Sequence, residues 1–115
     1  MHINYYQEQA ERTLTSDNTT HSGTLAVLAL GLCGEAGEVA EHIKKALAHG
    51  KELKLADLKA ELGDVLWYLS AIASTINADL ETVARMNLLK LELRYPDGFP
   101  TYESTIDKHN TPVED

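Results

Sequence analysis

The sequence is poor in several residue types, and each shortage excludes a class of protein. It contains one cysteine in 115 residues, so no disulfide can form within the chain and we expect a reducing, cytoplasmic environment. It contains only three prolines and is 43% apolar, which argues against a disordered chain. Ten basic against 18 acidic residues give a net charge of −8. That charge argues against a protein that holds nucleic acid through its phosphates.

Long apolar runs are also missing. Glu35, Glu38 and Glu41 interrupt the best candidate, which falls short of the roughly 18 uninterrupted apolar residues of a membrane span. The first twenty residues contain no apolar run of signal-peptide type. We therefore expect a soluble protein with no membrane or nucleic-acid partner, organised as one domain over residues 1–100 and a polar tail over residues 101–115.

What the sequence does contain is apolar spacing of three and four residues, with no alternating strand pattern, which predicts an all-α fold of four-helix-bundle type. A polar connection at residues 15–20 separates the first two helices, and Asp79 is positioned to cap the fourth. The apolar stripe of the third helix is expected to run through Leu58, Leu62, Val65, Leu69 and Ile76. The four helices are predicted over residues 2–15, from an N-cap at Ser22 to about His49 before Gly50, from about Leu55 to Asn77, and from Leu80 to near Arg94.

One acidic motif occurs twice. Glu35 to Val39 in the second helix and Glu61 to Val65 in the third both read Glu-x-Gly-acid-Val. About three acidic pairs of this spacing are expected by chance at this composition, so one pair alone is weak evidence. On a helical wheel, however, each pair borders the apolar stripe of its helix. Packing the two helices as a hairpin would therefore bring Glu35, Glu38, Glu61 and Asp64 together.

Four clustered carboxylates repel one another unless a cation lies between them. Magnesium suits oxygen ligands and is commonly completed by substrate phosphates, and manganese could substitute. The alternative is an accidental repeat on solvated helix faces. The helical di-iron pattern Glu-x-x-His is absent, because Val39 and Ala46 stand three residues before His42 and His49. All five histidines are interpreted as surface residues: His2, His21, His42, His49 and His109.

Asn87, Lys90 and Arg94 fall within about 60° of one another on the fourth helix. An amide and two cations on one side could bind phosphate oxygens, although an ordinary solvated helix face explains them equally well. Three glycines inside the second helix, at positions 31, 34 and 37, either leave room for a ligand or allow close helix packing. Both interpretations therefore stay open for the polar residues of the fourth helix and for the glycines of the second.

The segment Leu66 to Leu69 makes the third helix apolar on more than one face. A chain of this length has few elements left to cover a second apolar face, so we expect a homo-oligomer. Trp67 lies either at a subunit interface or over the core of its own chain.

Three blocks in order, GLCGEAGE at residues 31–38, ELGDVLWY at 61–68, and NLLKL at 87–91 with RYPDGF at 94–99, resemble the MazG-like nucleotide pyrophosphohydrolases. The resemblance covers most of residues 25–99. It implies an all-α, magnesium-dependent hydrolase that splits a nucleoside triphosphate into the monophosphate and pyrophosphate, usually as a homodimer or homotetramer. It also implies that Glu35, Glu38, Glu61 and Asp64 form the metal-binding catalytic site. Asn87, Lys90 and Arg94 would bind the substrate.

The sequence departs from the family at Gly34, where many members carry a further glutamate before Glu35. This leaves open how many metal ions bind and which group activates the water, for which Glu35 is our choice. Two alternatives to a general triphosphate pyrophosphohydrolase remain: a non-catalytic helical regulator, and a specialised relative such as a phosphoribosyl-ATP pyrophosphohydrolase or a pyrimidine-specific deoxynucleotidase. The sequence does not select a base.

Overall fold

The computed structural model describes residues 1–14 and 21–98, which form four α-helices and no strand. The all-α prediction is confirmed, while the predicted connection at residues 15–20 and the predicted tail lie outside the described residues. The chain divides into two compact units, residues 1–81 and the chain from Thr82 onward, each described here by itself. The helices are α1 (Ile3–Glu11), α2 (His21–Ala48), α3 (Leu55–Thr75) and α4 (Leu80–Arg94).

The helix ends follow local backbone chemistry. α2 already includes Ser22, so the prediction that Ser22 caps this helix is wrong by one or two residues. Gly50, just beyond the end of α2, has a φ of +61°, the left-handed conformation that ends many helices. α3 ends before the predicted Asn77, because Asn77 itself is left-handed at φ +58°. The N–H of Ala78 then bonds to the carbonyl of Ala73, which completes a Schellman motif.

In the first unit, α2 and α3 pack as a helical hairpin and α1 packs on α3. The buried face of α3 consists of small residues, Ser70, Ala71 and Ala73. The stripe predicted for this helix is confirmed only in part, since Leu58 and Val65 are half-buried whereas Leu62, Leu69 and Ile76 are 50%, 45% and 54% exposed. Small side chains let neighbouring helices approach closely, and the large side chains of α3 are half-buried or exposed.

A polar contact region, which we call the Gln7 corner, joins α1 to the end of α3 and the start of α4. The Gln7 side chain is 7% exposed and accepts a hydrogen bond from the backbone N–H of Leu80 at 2.7 Å. Its amide donates to Ser74 Oγ at 3.1 Å and to the carbonyl of Ala78 at 2.9 Å. Asn4 Oδ1 accepts from the N–H of Glu81 at 2.9 Å. Side chains of α1 therefore satisfy two N–H groups in the first turn of α4.

Residues Gly23–Ala48 of α2 are long and apolar enough to cross a membrane, judged by length and composition alone, which the sequence analysis did not expect. This is weak evidence, because core helices of soluble proteins meet the same criterion. Glu35, Glu38 and Glu41 lie in this stretch, and placing three carboxylates in lipid would be costly. A cytoplasmic location stays a prediction.

Candidate metal centre

The helical hairpin brings carboxylates of α2 and α3 to the same place. Glu35 of α2 and Glu61 of α3 are half-buried, and Asp64 of α3 is exposed. One oxygen from each of these three residues lies within 4.8 Å of the other two. They form the first of two donor groups, and it contains oxygen atoms only.

The second donor group shares Glu61. It consists of Glu38, His42 and Glu61, whose ligand atoms also lie within 4.8 Å of one another. His42 Nε2 is 3.6 Å from Glu61 Oε1, and the two side chains are 32% and 22% exposed. We call Glu35, Glu38, Glu61 and Asp64 the carboxylate cluster, and His42 lies directly beside it.

Like charges in the cluster alter its proton affinity. The pKa of Glu35 is raised above its ordinary value of 4.5, first because Glu35 shares a hydrogen bond with Glu61 and next because of burial. The negative charges of Asp64, Glu61 and Glu38 raise this pKa further. Protonation of Glu35 is thus favoured in the cation-free cluster, and a bound cation would oppose it.

The pKa of Tyr6 in α1 is also affected by the cluster. Burial raises the pKa of its hydroxyl, and the negative charge of Asp64 raises it further.

The donor set fits a hard divalent cation. Carboxylate oxygens are the preferred ligands of magnesium, and a site with a few carboxylates leaves coordination positions for water and phosphate. Glu35, Glu61 and Asp64 would supply an all-oxygen position of this kind. Glu38 and Glu61 would supply oxygen ligands next to the imidazole of His42.

The glycines of α2 and α3 have two different surroundings. A Cβ atom at Gly31 would overlap the ring of Tyr68, so this glycine permits close packing of α2 on α3. A Cβ atom at Gly34, Gly37 or Gly63 would meet no atom within 4 Å. These three glycines lie next to carboxylates of the cluster in sequence, and they leave the surface beside it uncrowded.

The predicted phosphate contacts lie in the second unit. Asn87, Lys90 and Arg94 are all exposed on α4. Asn87 and Lys90 line a shallow open pocket on that helix together with Val83 and Met86. Their assignment to substrate binding stays a prediction.

Trp67 makes contacts within its own chain. It is half-buried, its indole N–H donates to Thr13 Oγ1 at 2.8 Å, and its ring meets that of Tyr68 edge-on with centroids 5.0 Å apart. These contacts favour the alternative in which Trp67 covers the core of its own chain. The position of Trp67 at a subunit interface stays a prediction.

The sequence analysis missed His42, which it classed as a surface residue. The signal was present, because His42 follows Glu38 by one helical turn and Glu35 by two, so all three share a face of α2. The prediction of histidine ligands rested on the Glu-x-x-His spacing alone. The spacing Glu-x-x-x-His brings an imidazole to the same face.

Two comparisons with known proteins found a match for this chain, and a third found none. The family model described as "MazG nucleotide pyrophosphohydrolase domain" matches residues 23–99, well over half of the chain, and includes both donor groups. The chain is 38% identical over 106 residues to the "Gene 37 protein" of Mycobacterium phage L5, which covers 85% of this chain and 92% of the phage protein. That name states no activity. No solved structure matches the chain.

Proposed function

The chain belongs to the MazG nucleotide pyrophosphohydrolase family, and we propose that it hydrolyses a nucleoside or deoxynucleoside triphosphate to the monophosphate and pyrophosphate in a magnesium-dependent reaction. The observation that carries this proposal is the carboxylate cluster, in which Glu35, Glu61 and Asp64 converge from two helices within the matched stretch. The carboxylates of the cluster repel a triphosphate unless cations bind between the carboxylates and the phosphates, which supports the metal requirement.

In this reaction the chain mainly positions groups and balances charge. Glu35, Glu38, Glu61 and Asp64 would hold magnesium, which when bound would supply positive charge to neutralise the triphosphate. Glu35 would orient the attacking water and accept its proton, since its carboxylate lies beside Glu61 and Asp64 in the cluster. Asn87, Lys90 and Arg94 bind phosphate oxygens, as the family resemblance implies.

We also propose that the protein acts as a homo-oligomer, either a dimer or a tetramer. Large apolar side chains of the first unit remain in contact with solvent, including Val27, Leu30 and Leu47 of α2 at 65%, 73% and 82% exposure. A second copy of the chain could cover these side chains, since exposed apolar surface of this extent is typical of interfaces. Light scattering after size-exclusion chromatography would measure the mass, and a monomer at micromolar concentration would contradict this part of the proposal.

The first experiment is pyrophosphate release from all common ribo- and deoxyribonucleoside triphosphates, with magnesium and with chelator. It should be run beside Asp64→Asn, which keeps the size of the side chain and removes its charge. We expect Asp64→Asn to lose at least about a hundredfold in kcat/KM, because removal of one metal ligand weakens both cation binding and charge neutralisation. The matched control is Glu41→Gln, which removes an acid of α2 that belongs to neither donor group.

Each result has a defined meaning. Magnesium-dependent release by the parent and Glu41→Gln, but not by a folded Asp64→Asn, would support both the reaction and the site. Full activity of Asp64→Asn would overturn the site assignment. Nucleotide binding without release from any triphosphate, in folded and metal-loaded protein, would overturn the hydrolase proposal and favour a regulator.

A further inference from the structure

The two donor groups around Glu61 differ in chemistry. Glu35, Glu61 and Asp64 offer oxygen atoms only, whereas Glu38, His42 and Glu61 include the nitrogen of an imidazole. His42 is the single histidine within either group among the residues that the structure describes. The two groups therefore have different metal preferences built into their ligands.

We propose that Glu38, His42 and Glu61 form a second cation position, distinct from the all-oxygen position and selective for a first-row transition ion such as Mn²⁺ over Mg²⁺. Glu61 is shared between the two positions. The inference rests on the metal-dependent part of the proposed function and deepens it, because it assigns a ligand role to a residue that the family resemblance did not include.

The geometry of His42 supports coordination. Two ligands that each lie roughly 2.1 Å from one ion can be at most about 4.2 Å apart. The separation of 3.6 Å between His42 Nε2 and Glu61 Oε1 falls inside that limit. This separation is also longer than an ordinary N–H···O hydrogen bond, so His42 and Glu61 do not form a tight hydrogen bond with each other.

The helix spacing supplies the third ligand. Glu38 and His42 are four residues apart on α2, and side chains at this spacing are neighbours on a helix surface. Glu61 faces them from α3, which fixes the group across two packed helices. Ligands held on packed helices are better ordered than ligands on loops.

The selectivity follows from the nitrogen atom. Imidazole is a common ligand of first-row transition ions, whereas magnesium strongly prefers carboxylates, phosphates and water. An oxygen-only position accepts either ion, but exchange of one oxygen ligand for imidazole shifts the balance toward the transition ion. The competing explanation is that His42, when protonated, only forms an ion pair with Glu61.

The test is a titration of the substrate-free protein with Mn²⁺, in which electron paramagnetic resonance measures the free ion. The parent should bind two Mn²⁺ per chain. His42→Ala should lose the second or weaken it at least tenfold. Magnesium affinity, measured by competition, should change less than threefold. The matched control, His49→Ala, removes an exposed histidine beyond the end of α2 and should behave as the parent.

A second variant, His42→Gln, keeps a polar side chain of similar reach and guards against a folding defect in His42→Ala. Equal Mn²⁺ stoichiometry and affinity in the parent and in either folded variant would overturn the inference and leave His42 as an ion-pair partner only. The titration contains no nucleotide, so its outcome is independent of hydrolysis. A parent that binds a His42-dependent Mn²⁺ but releases no pyrophosphate would contradict the proposed function and not this inference.

Discussion

The Gln7 corner and the carboxylate cluster both place polar side chains between helices of the first unit, but they balance those groups differently. In the corner, the neutral amide of Gln7 donates to Ser74 and Ala78 and accepts from Leu80, so donors and acceptors are matched within the chain. In the cluster, acceptors of one charge face one another, and the hydrogen bond to Glu61 and the neighbouring negative charges raise the pKa of Glu35.

This difference separates a region whose polar groups are satisfied within the chain from one whose charges are not. A buried polar network that is satisfied internally fixes the arrangement of its helices and needs no ligand. A cluster of like charges costs stability and is retained where something outside the chain compensates the charge. The corner should therefore be sensitive to mutation in every condition, and the cluster should be sensitive to pH and to cations.

The largest expected effect on stability is at the corner. Gln7→Ala should lower the free energy of unfolding by about 2–3 kcal/mol, because it leaves the N–H of Leu80 and the carbonyl of Ala78 without their partner. Urea denaturation followed by circular dichroism would measure the loss.

The control for this prediction is Gln9→Ala, since among the described residues the Gln9 side chain accepts just an exposed hydrogen bond from Arg12 within its own helix turn. This control should change stability by less than about 0.5 kcal/mol. Equal losses in the two variants would contradict the distinction between the corner and an ordinary helix surface.

A smaller effect is expected along α2, where Gly31 and Gly34 are three residues apart. Gly31→Ala should destabilise the protein by about 1–3 kcal/mol, because its methyl group would overlap the ring of Tyr68. Gly34→Ala, whose methyl group would meet no atom within 4 Å, should stabilise the metal-free chain by up to about 1 kcal/mol through helix propensity. Thermal unfolding of both variants measures the contrast.

A destabilising Gly34→Ala would be informative in its own right. It would mean that another part of the assembled protein packs on this side of α2, and the open surface beside the cluster would then be an interface. A Gly31→Ala variant as stable as the parent would show that the Tyr68 ring can move aside without a loss of stability.

The elements that follow from local chemistry were predictable from the sequence. Helix periodicity, Gly50 and the helix-start signal at Asp79 placed the helices to within a few residues, and α4 was placed from Leu80 to Arg94. The wheel positions of the repeated acidic motif also anticipated that Glu35, Glu61 and Asp64 would meet. A period of 3.6 residues defines which side chains share a face, and the repeated motif indicated the faces of α2 and α3 on which the carboxylates meet.

Features that depend on contact between helices were not predictable. Gln7 reads as an ordinary polar position of α1, and only the packing of that helix on α3 brings it to Ala78 and Leu80. The predicted stripe of α3 failed at Leu62, Leu69 and Ile76 for the same reason, since apolar character alone does not determine which of two apolar faces the neighbouring helices cover. Ser70, Ala71 and Ala73 are covered because small residues allow the closest approach.

The smallest expected effect tests the cluster through its proton. The pKa of Glu35 is raised in the folded chain, so the folded chain keeps a proton that the unfolded chain releases above about pH 4.5. The stability of the metal-free protein should therefore fall as pH rises from about 4.5 through the raised pKa. Glu35→Gln has no such titration and should melt at a higher temperature than the parent at pH 7, with the difference shrinking toward pH 4.

Water reaches the exposed carboxylates of the cluster and screens their repulsion, so the shift should be smaller than the effects at Gln7 and Gly31. Melting curves across this pH range, recorded in chelator, would measure it, with Glu41→Gln as the control for loss of one negative charge on α2. A difference between Glu35→Gln and the parent that stays constant with pH would show that the cluster is not holding a proton. Addition of magnesium should reverse the order of the two melting temperatures, because the cation compensates the charge in the parent and finds one ligand fewer in the variant.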